Sequence, residues 1–145
     1  MKIYTSYFYQ IRNFTPNMIP VSTAMSDPGW FKPPNNKEYF FDKNGVINGL
    51  RYEPLIVQPT WGGCPCQFQG KGNPHCDFLR EYRRALYEVD KEKTFKAFEY
   101  CLNKFNADTI VLIVYETPKN PCSERWVLQE FFNCEELKYP IKENY

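Results

Sequence analysis

The 145-residue sequence has a single histidine, His75, and lacks a glycine-rich phosphate loop. Neither G-x-G-x-x-G nor G-x-x-x-x-G-K-[ST] occurs, which argues against a standard dinucleotide or P-loop site. No nicotinamide or flavin cofactor is therefore expected. Charge of one sign is also missing: Lys plus Arg is 18 against 17 for Asp plus Glu. That balance gives no whole-chain field of the kind a dedicated nucleic-acid binder carries, so nucleic acid is not the favoured partner. No apolar run approaches the ~20 residues a membrane span needs. The opening MKIYTSYFYQIRN has no continuous apolar region of about 7–15 residues, so no secretory signal is expected and the cytoplasm is the default location. What the chain does have is aromatic residues, 18% of the total, and a length suited to one domain with its own core.

The most informative stretch runs from Thr109 to Phe132. Thr109–Tyr115 (TIVLIVY) is apolar and β-branched without alternation, the pattern of a strand buried on both faces of a parallel sheet. Thr117-Pro118-Lys119-Asn120-Pro121 breaks it. Helical spacing is expected from Cys122, with Val127, Leu128 and Phe131 on one stripe. Ligands of open α/β sheets bind outside the carboxyl ends of the strands. Glu116 at such an end and Cys122 at a helix start are thus candidates for one site. The free N–H groups and partial positive charge of a helix N-terminus favour a thiolate. Arg125, three residues on, would share the helical face of Cys122 and hold an anion or stabilise the thiolate. The plainer alternative is a small buried cysteine and a solvated arginine.

The segments MKIYTSYFYQIRN, NMIPVSTAMSDPGWF and IVLIVYETPKNPCSERWVLQEFF together resemble the YeaO-like domain-of-unknown-function family of small bacterial and phage proteins. Members begin with a K-I-Y-T-S-Y-F strand, follow with I-V-P-I-S and a P-x-W segment, and end in L-C-Y-E-K-x-x-x-x-C-H-R-H-L-V-A-E-W-L. Tyr115-Glu116 matches the Y-E, Cys122 the cysteine, Arg125 the arginine, Glu130 the later glutamate, and Pro28-Gly29-Trp30 the P-x-W. The likeness covers both ends and is thin between Pro33 and Gly72. After the cysteine this chain has Ser123-Glu124-Arg125 where the family has His-Arg, so the resemblance does not extend to chemistry that needs that histidine. The resemblance implies a single α/β domain of Rossmann-like type, with a mainly parallel sheet and flanking helices. It names no reaction.

A long irregular excursion rich in Pro, Asn, Gly and aromatics is expected between Asp27 and Thr60, continuing into the cysteine-rich GGCPCQFQGKGNPHC. Cys64, Cys66, His75 and Cys76 are four ligand-type residues in a loop that buries little of its own, and zinc is the metal such a loop would take as a staple. C-x-C and adjacent H-C are tighter than the usual spacings. Free thiols, a disulfide from Cys64 or Cys66 to Cys76, and His75 as a base for Cys122 stay open beside it. Cys101 and Cys134 read as packing residues.

Elsewhere, strands are expected at Lys2–Thr5 and Met18–Thr23, with short ones at Leu55–Gln58 and Glu136–Tyr139. Asp77–Val89 reads as a helix with Leu79, Tyr82, Leu86 and Val89 on one stripe. Asp90–Phe105 reads as a second helix or a continuation of the first, with Asp90 as N-cap and Phe95, Phe98, Leu102 and Phe105 on one face. Arg80, Arg83 and Arg84 could meet phosphates but read more simply as a solvated face partnered by Asp77, Glu81 and Glu88. Ser6, Tyr7 and Trp30 are the candidate ligand contacts: two hydroxyls beside the Glu116 crevice and a ring that could stack on a base or sugar. Trp61 is a weaker stacking candidate.

Two functions fit these residues. One is a small enzyme or binder for a nucleotide-like or phosphorylated ligand, with Cys122 as nucleophile or anion-site residue, Glu116 as acid/base or ribose-binding carboxylate and Arg125 as anion clamp. The other is a non-catalytic binding or host-interaction protein, of phage type, with the Cys/His loop stapled by metal. The sequence does not indicate an oligomeric state.

Overall fold

The computed structural model describes residues 1–24, 28, 29, 31, 50–56, 77–115, 118, 119 and 123–138. Its elements are β1 (Lys2–Tyr7), β2 (Met18–Ser22), β3 (Leu50–Arg51), α1 (Asp77–Tyr87), α2 (Lys91–Lys104), β4 (Thr109–Val114), α3 (Arg125–Phe132) and β5 (Glu135–Glu136). The strands form one sheet in the order β3-β2-β4-β1-β5, and every pairing in it is parallel. The TIVLIV run is its central strand: all six residues of β4 are buried. Lys2 to Tyr7 pair with Thr109 to Val114 on one side, and Met18 to Ser22 pair with Thr109 to Ile113 on the other.

Strand alternation divides the core in two. Ile110, Leu112 and Val114 of β4, with Ile19 and Val21 of β2, face the helices. There Leu79, Tyr82 and Leu86 of α1, Phe98 and Leu102 of α2, and Val127, Leu128 and Phe132 of α3 cover them. Val111 and Ile113 point the opposite way, onto Phe8, Ile11, Ala24 and Phe31. Phe8–Asn13 is a short 3-10 helix between β1 and β2. A mainly parallel α/β sheet with flanking helices is therefore the architecture, and the strand buried on both faces is the one read from the sequence.

The helices start and stop where local chemistry dictates. Asp90 caps α2, its carboxylate accepting the Lys93 N–H at 3.0 Å. The stripe of α1 is as expected, with Val89 packed at its edge. In α2 the fully covered positions are Thr94, Phe98 and Leu102, while Phe95 and Phe105 lie at the margin. Asn133 ends α3 in the left-handed conformation, φ 52°, which asparagine tolerates better than most residues.

Three elements depart most from expectation. Helix α3 begins at Arg125, not Cys122; Ser123 Oγ accepts the Arg125 N–H at 3.2 Å, a local side-chain turn that competes with an earlier helical start. The stripe of α3 accordingly buries Phe132 more deeply than Phe131. Residues Glu53–Leu55 form a 3-10 turn, with Pro54 favouring it, where a strand from Leu55 was expected; residues 57 and 58 lie outside the described residues. The last strand is Glu135–Glu136, shifted one residue toward the N-terminus and shorter than read.

Candidate functional site

Connections between parallel strands are almost always right-handed, so two that run in opposite directions across a sheet must cross opposite faces. The chain obeys this. From β1 to β2 it crosses on the Phe8 and Ile11 side, and Ala24 and Phe31 after β2 stay on that side. From β3 to β4 and on to β5 it returns across the other side through α1, α2 and α3. The exits from β4 and from its neighbours β1 and β2 thus part to opposite faces at the carboxyl end of β4, the place where open α/β sheets receive ligands.

That end carries the buried polar residues. Ser6, Ser22, Thr23, Ser123, Glu124 and Arg125 are all buried there. Ser6 and Ser22 flank Ile113 in register, which sets their backbones roughly 10 Å apart on the 3-10 side of the sheet. Ser22 Oγ accepts the Ala24 N–H at 3.3 Å, and Thr23 Oγ1 donates to the Ile113 carbonyl at 3.0 Å. Tyr115 follows β4 directly and is 46% exposed. Its ring lies 4.8 Å from that of Phe8, inclined at 56°.

On the helical side Arg125 is fully buried. Its Nε donates to Glu136 Oε1 at 2.8 Å and its Nη2 to Glu136 Oε2 at 3.1 Å, a two-pronged ion pair. Nη1 meets Ser123 Oγ at 3.5 Å. The guanidinium carbon is 5.7 Å from the Tyr7 ring and 5.9 Å from the Trp126 ring. Thr5 Oγ1 donates to Glu136 Oε1 at 2.8 Å and accepts from Gln129 Nε2 at 2.9 Å. The carboxylate that answers Arg125 is thus itself held from β1 and α3.

The expected site residues fare differently. Tyr7 does stand beside Arg125, its hydroxyl accepting from Gln10 Nε2 at 3.0 Å. Ser6 does not share that side: alternation along β1 turns it to the opposite face. The i, i+3 argument for Cys122 and Arg125 does not hold, because α3 starts at Arg125. Arg125 is an internal ion-pair partner with no exposed surface, in place of the solvated group or open anion clamp that its spacing suggests. Glu116, Cys122, Trp30, Trp61, Cys64, Cys66, His75 and Cys76 lie outside the described residues. Among the described residues no group of three or more His, Cys, Asp or Glu could hold a metal ion, and no helix is long and apolar enough to cross a membrane.

Cys101 and Cys134 pack against the helical core. Burial raises the Cys101 thiol pKa, with Lys104 acting weakly the other way. Burial, then Glu136 and Glu135, push Cys134 up to about 11. Of the α1 arginines, Arg83 pairs with Glu130 of α3 at 3.2 Å instead of a carboxylate of its own helix. This contact is largely exposed and stabilises little. Glu136, Thr5 and Gln129 were missed by the sequence reading. The usable signal was Arg125 itself, which heads the same i, i+3, i+7 row as Leu128 and Phe132, and an arginine on a buried stripe demands a carboxylate.

The fold defines a parallel α/β protein with buried polar residues grouped at the carboxyl end of its central strand. Comparison with protein-family models, with curated proteins and with solved structures returns no match.

Proposed function

We propose that the carboxyl end of the sheet binds a small nucleotide-like or phosphorylated ligand, and that Cys122 and Glu116 are its reactive groups. The observation that carries this reading is the concentration of buried polar side chains at that end; the described residues of the amino end bury only Thr109. A folded chain places such groups out of water at a cost, and functional sites are one of the places where chains meet it. In this reading Glu116 is the acid/base or ribose-binding carboxylate and Cys122 the nucleophile or anion-site residue. Arg125, its charge matched by Glu136, anchors the start of α3 and leaves the edge near Ser123 to an oxyanion. The same reading takes the domain as Rossmann-like with a cysteine-rich excursion, cytoplasmic, and related to the YeaO-like bacterial and phage proteins.

Native mass spectrometry of untreated protein tests the proposal, with and without adenosine 5′-monophosphate, uridine 5′-monophosphate and ribose 5-phosphate. One bound ligand per chain is expected, together with iodoacetamide labelling of Cys122 at neutral pH faster than that of Cys101 or Cys134. Cys122→Ser should keep the fold and lose the fast label. No binding and a slow Cys122 would leave the non-catalytic reading, in which Cys64, Cys66, His75 and Cys76 hold zinc. The same spectrum then shows about one zinc per chain, removable by a chelator with loss of stability.

A further inference from the structure

We propose that Tyr115 is the stacking face for the planar ring of the ligand, and that the ligand class is one bearing a nucleobase; this rests on the site proposed above. Four exposed tyrosines are present among the described residues, Tyr9, Tyr87, Tyr100 and Tyr115, but Tyr115 alone of these follows the central strand. It emerges where the connections from β4 and from its neighbours part to opposite faces, the position at which a parallel sheet receives a ligand. Val114 before it is fully buried, whereas Tyr115 is 46% exposed. An aromatic ring is thus presented to solvent at the carboxyl end of the central strand, where buried polar residues gather.

The ring is also backed. Phe8 lies 4.8 Å away at 56°, and Phe8 in turn meets Phe31 at 5.1 Å and 69°. Both phenylalanines are buried, at 4% and 1% exposure. A ring fixed by a packed ring behind it loses little further freedom when a second flat group is laid on it. The electrostatics point to a base ahead of a phosphate as the recognised part. Ser6, Ser22 and Thr23 at the same end of the sheet are neutral, and the positive charge of Arg125 is matched by Glu136 on the far face. A stacked base needs no net charge, because every base has a π-face.

Isothermal titration with adenosine 5′-monophosphate, adenosine and ribose 5-phosphate tests the proposal on the whole chain, on Tyr115→Ala, on Tyr115→Phe and on Tyr9→Ala. Expected are binding of both base-bearing probes, at least about tenfold weaker binding of ribose 5-phosphate, a loss of about tenfold or more in Tyr115→Ala, and near-native affinity in Tyr115→Phe and Tyr9→Ala. Circular dichroism checks that each variant is folded. Equal binding of ribose 5-phosphate and adenosine 5′-monophosphate, or a Tyr115→Ala variant that binds as the parent does, overturns the stacking role while the site stands. If no probe binds, the stacking role and the site fall together.

Discussion

At the scale of single residues, the decisive group is Arg125. A guanidinium taken out of water costs several kcal/mol, and the cost is met only by good geometry and satisfied hydrogen bonds. Glu136 supplies two contacts, and Thr5, itself hydrogen-bonded by Gln129, holds Glu136 in place. The two partners are not equivalent: the Arg125 side chain has no exposure, while that of Glu136 retains 22%. Removing the carboxylate strands a charge that cannot reach water; removing the arginine leaves a carboxylate that can. We expect Glu136→Ala to cost about 3 kcal/mol and Arg125→Met clearly less, about 1 kcal/mol. Arg125→Met combined with Glu136→Leu should recover much of the loss. Urea unfolding midpoints of the three variants measure this. Equal costs for the two single variants would contradict the asymmetry of burial.

Among elements, the unit formed by α3 and β5 hangs on one short turn that contains Cys134. Its thiol is half-buried and pushed from 9.0 up to about 11 by burial, then Glu136 and Glu135. Between those pH values the unfolded chain has lost the proton that the folded chain keeps. Stability is therefore unaffected below about pH 9 and falls as the pH rises toward 11. Partial exposure reduces the effect to about 1 kcal/mol. Thermal melts between pH 8 and 11 should show the parent losing more than Cys134→Ala, and a parallel pair of curves would refute the shift. Cys101, raised in the same direction, contributes alike in both. Most elements were legible because their signals are long: five consecutive apolar residues for β4, a stripe for α1, and a capping aspartate for α2. Strands β3 and β5 have two residues each, too few for any periodicity, and exist only because a neighbouring edge pairs with them. The start of α3 was misread because Ser123 Oγ captures the first helical N–H, an interaction that pattern alone does not rank. The grouping of buried polar residues was legible as a place, through the strand end, but not in its partners. The Arg125 and Glu136 pairing depends on β5 lying beside β1, a tertiary fact.

Across the whole molecule, stability should radiate from β4. It is the only described strand covered by paired strands along its length on both sides and by side chains on both faces. Its partner β1 is more than a hundred residues away in the chain, Lys2 opposite Thr109. Neither strand can be protected until the two have met, and all the helices must then be docked for Ile110, Leu112 and Val114 to be dry. Opening β4 is consequently equivalent to global unfolding, whereas Leu50–Arg51 and Glu135–Glu136 can detach alone. Amide hydrogen exchange should therefore be slowest, and governed by the same free energy, in β4 and the paired parts of β1 and β2. Exchange at β3 and β5 should be faster by orders of magnitude. Leu112→Ala, which removes buried methyl groups at the centre, should lower protection in β1, β2 and β4 together, by about 2–5 kcal/mol. If β1 exchanged rapidly while β4 stayed protected, the two strands would belong to separate cooperative units. The parallel pairing from Lys2 to Tyr7 would then not be the keystone of this fold.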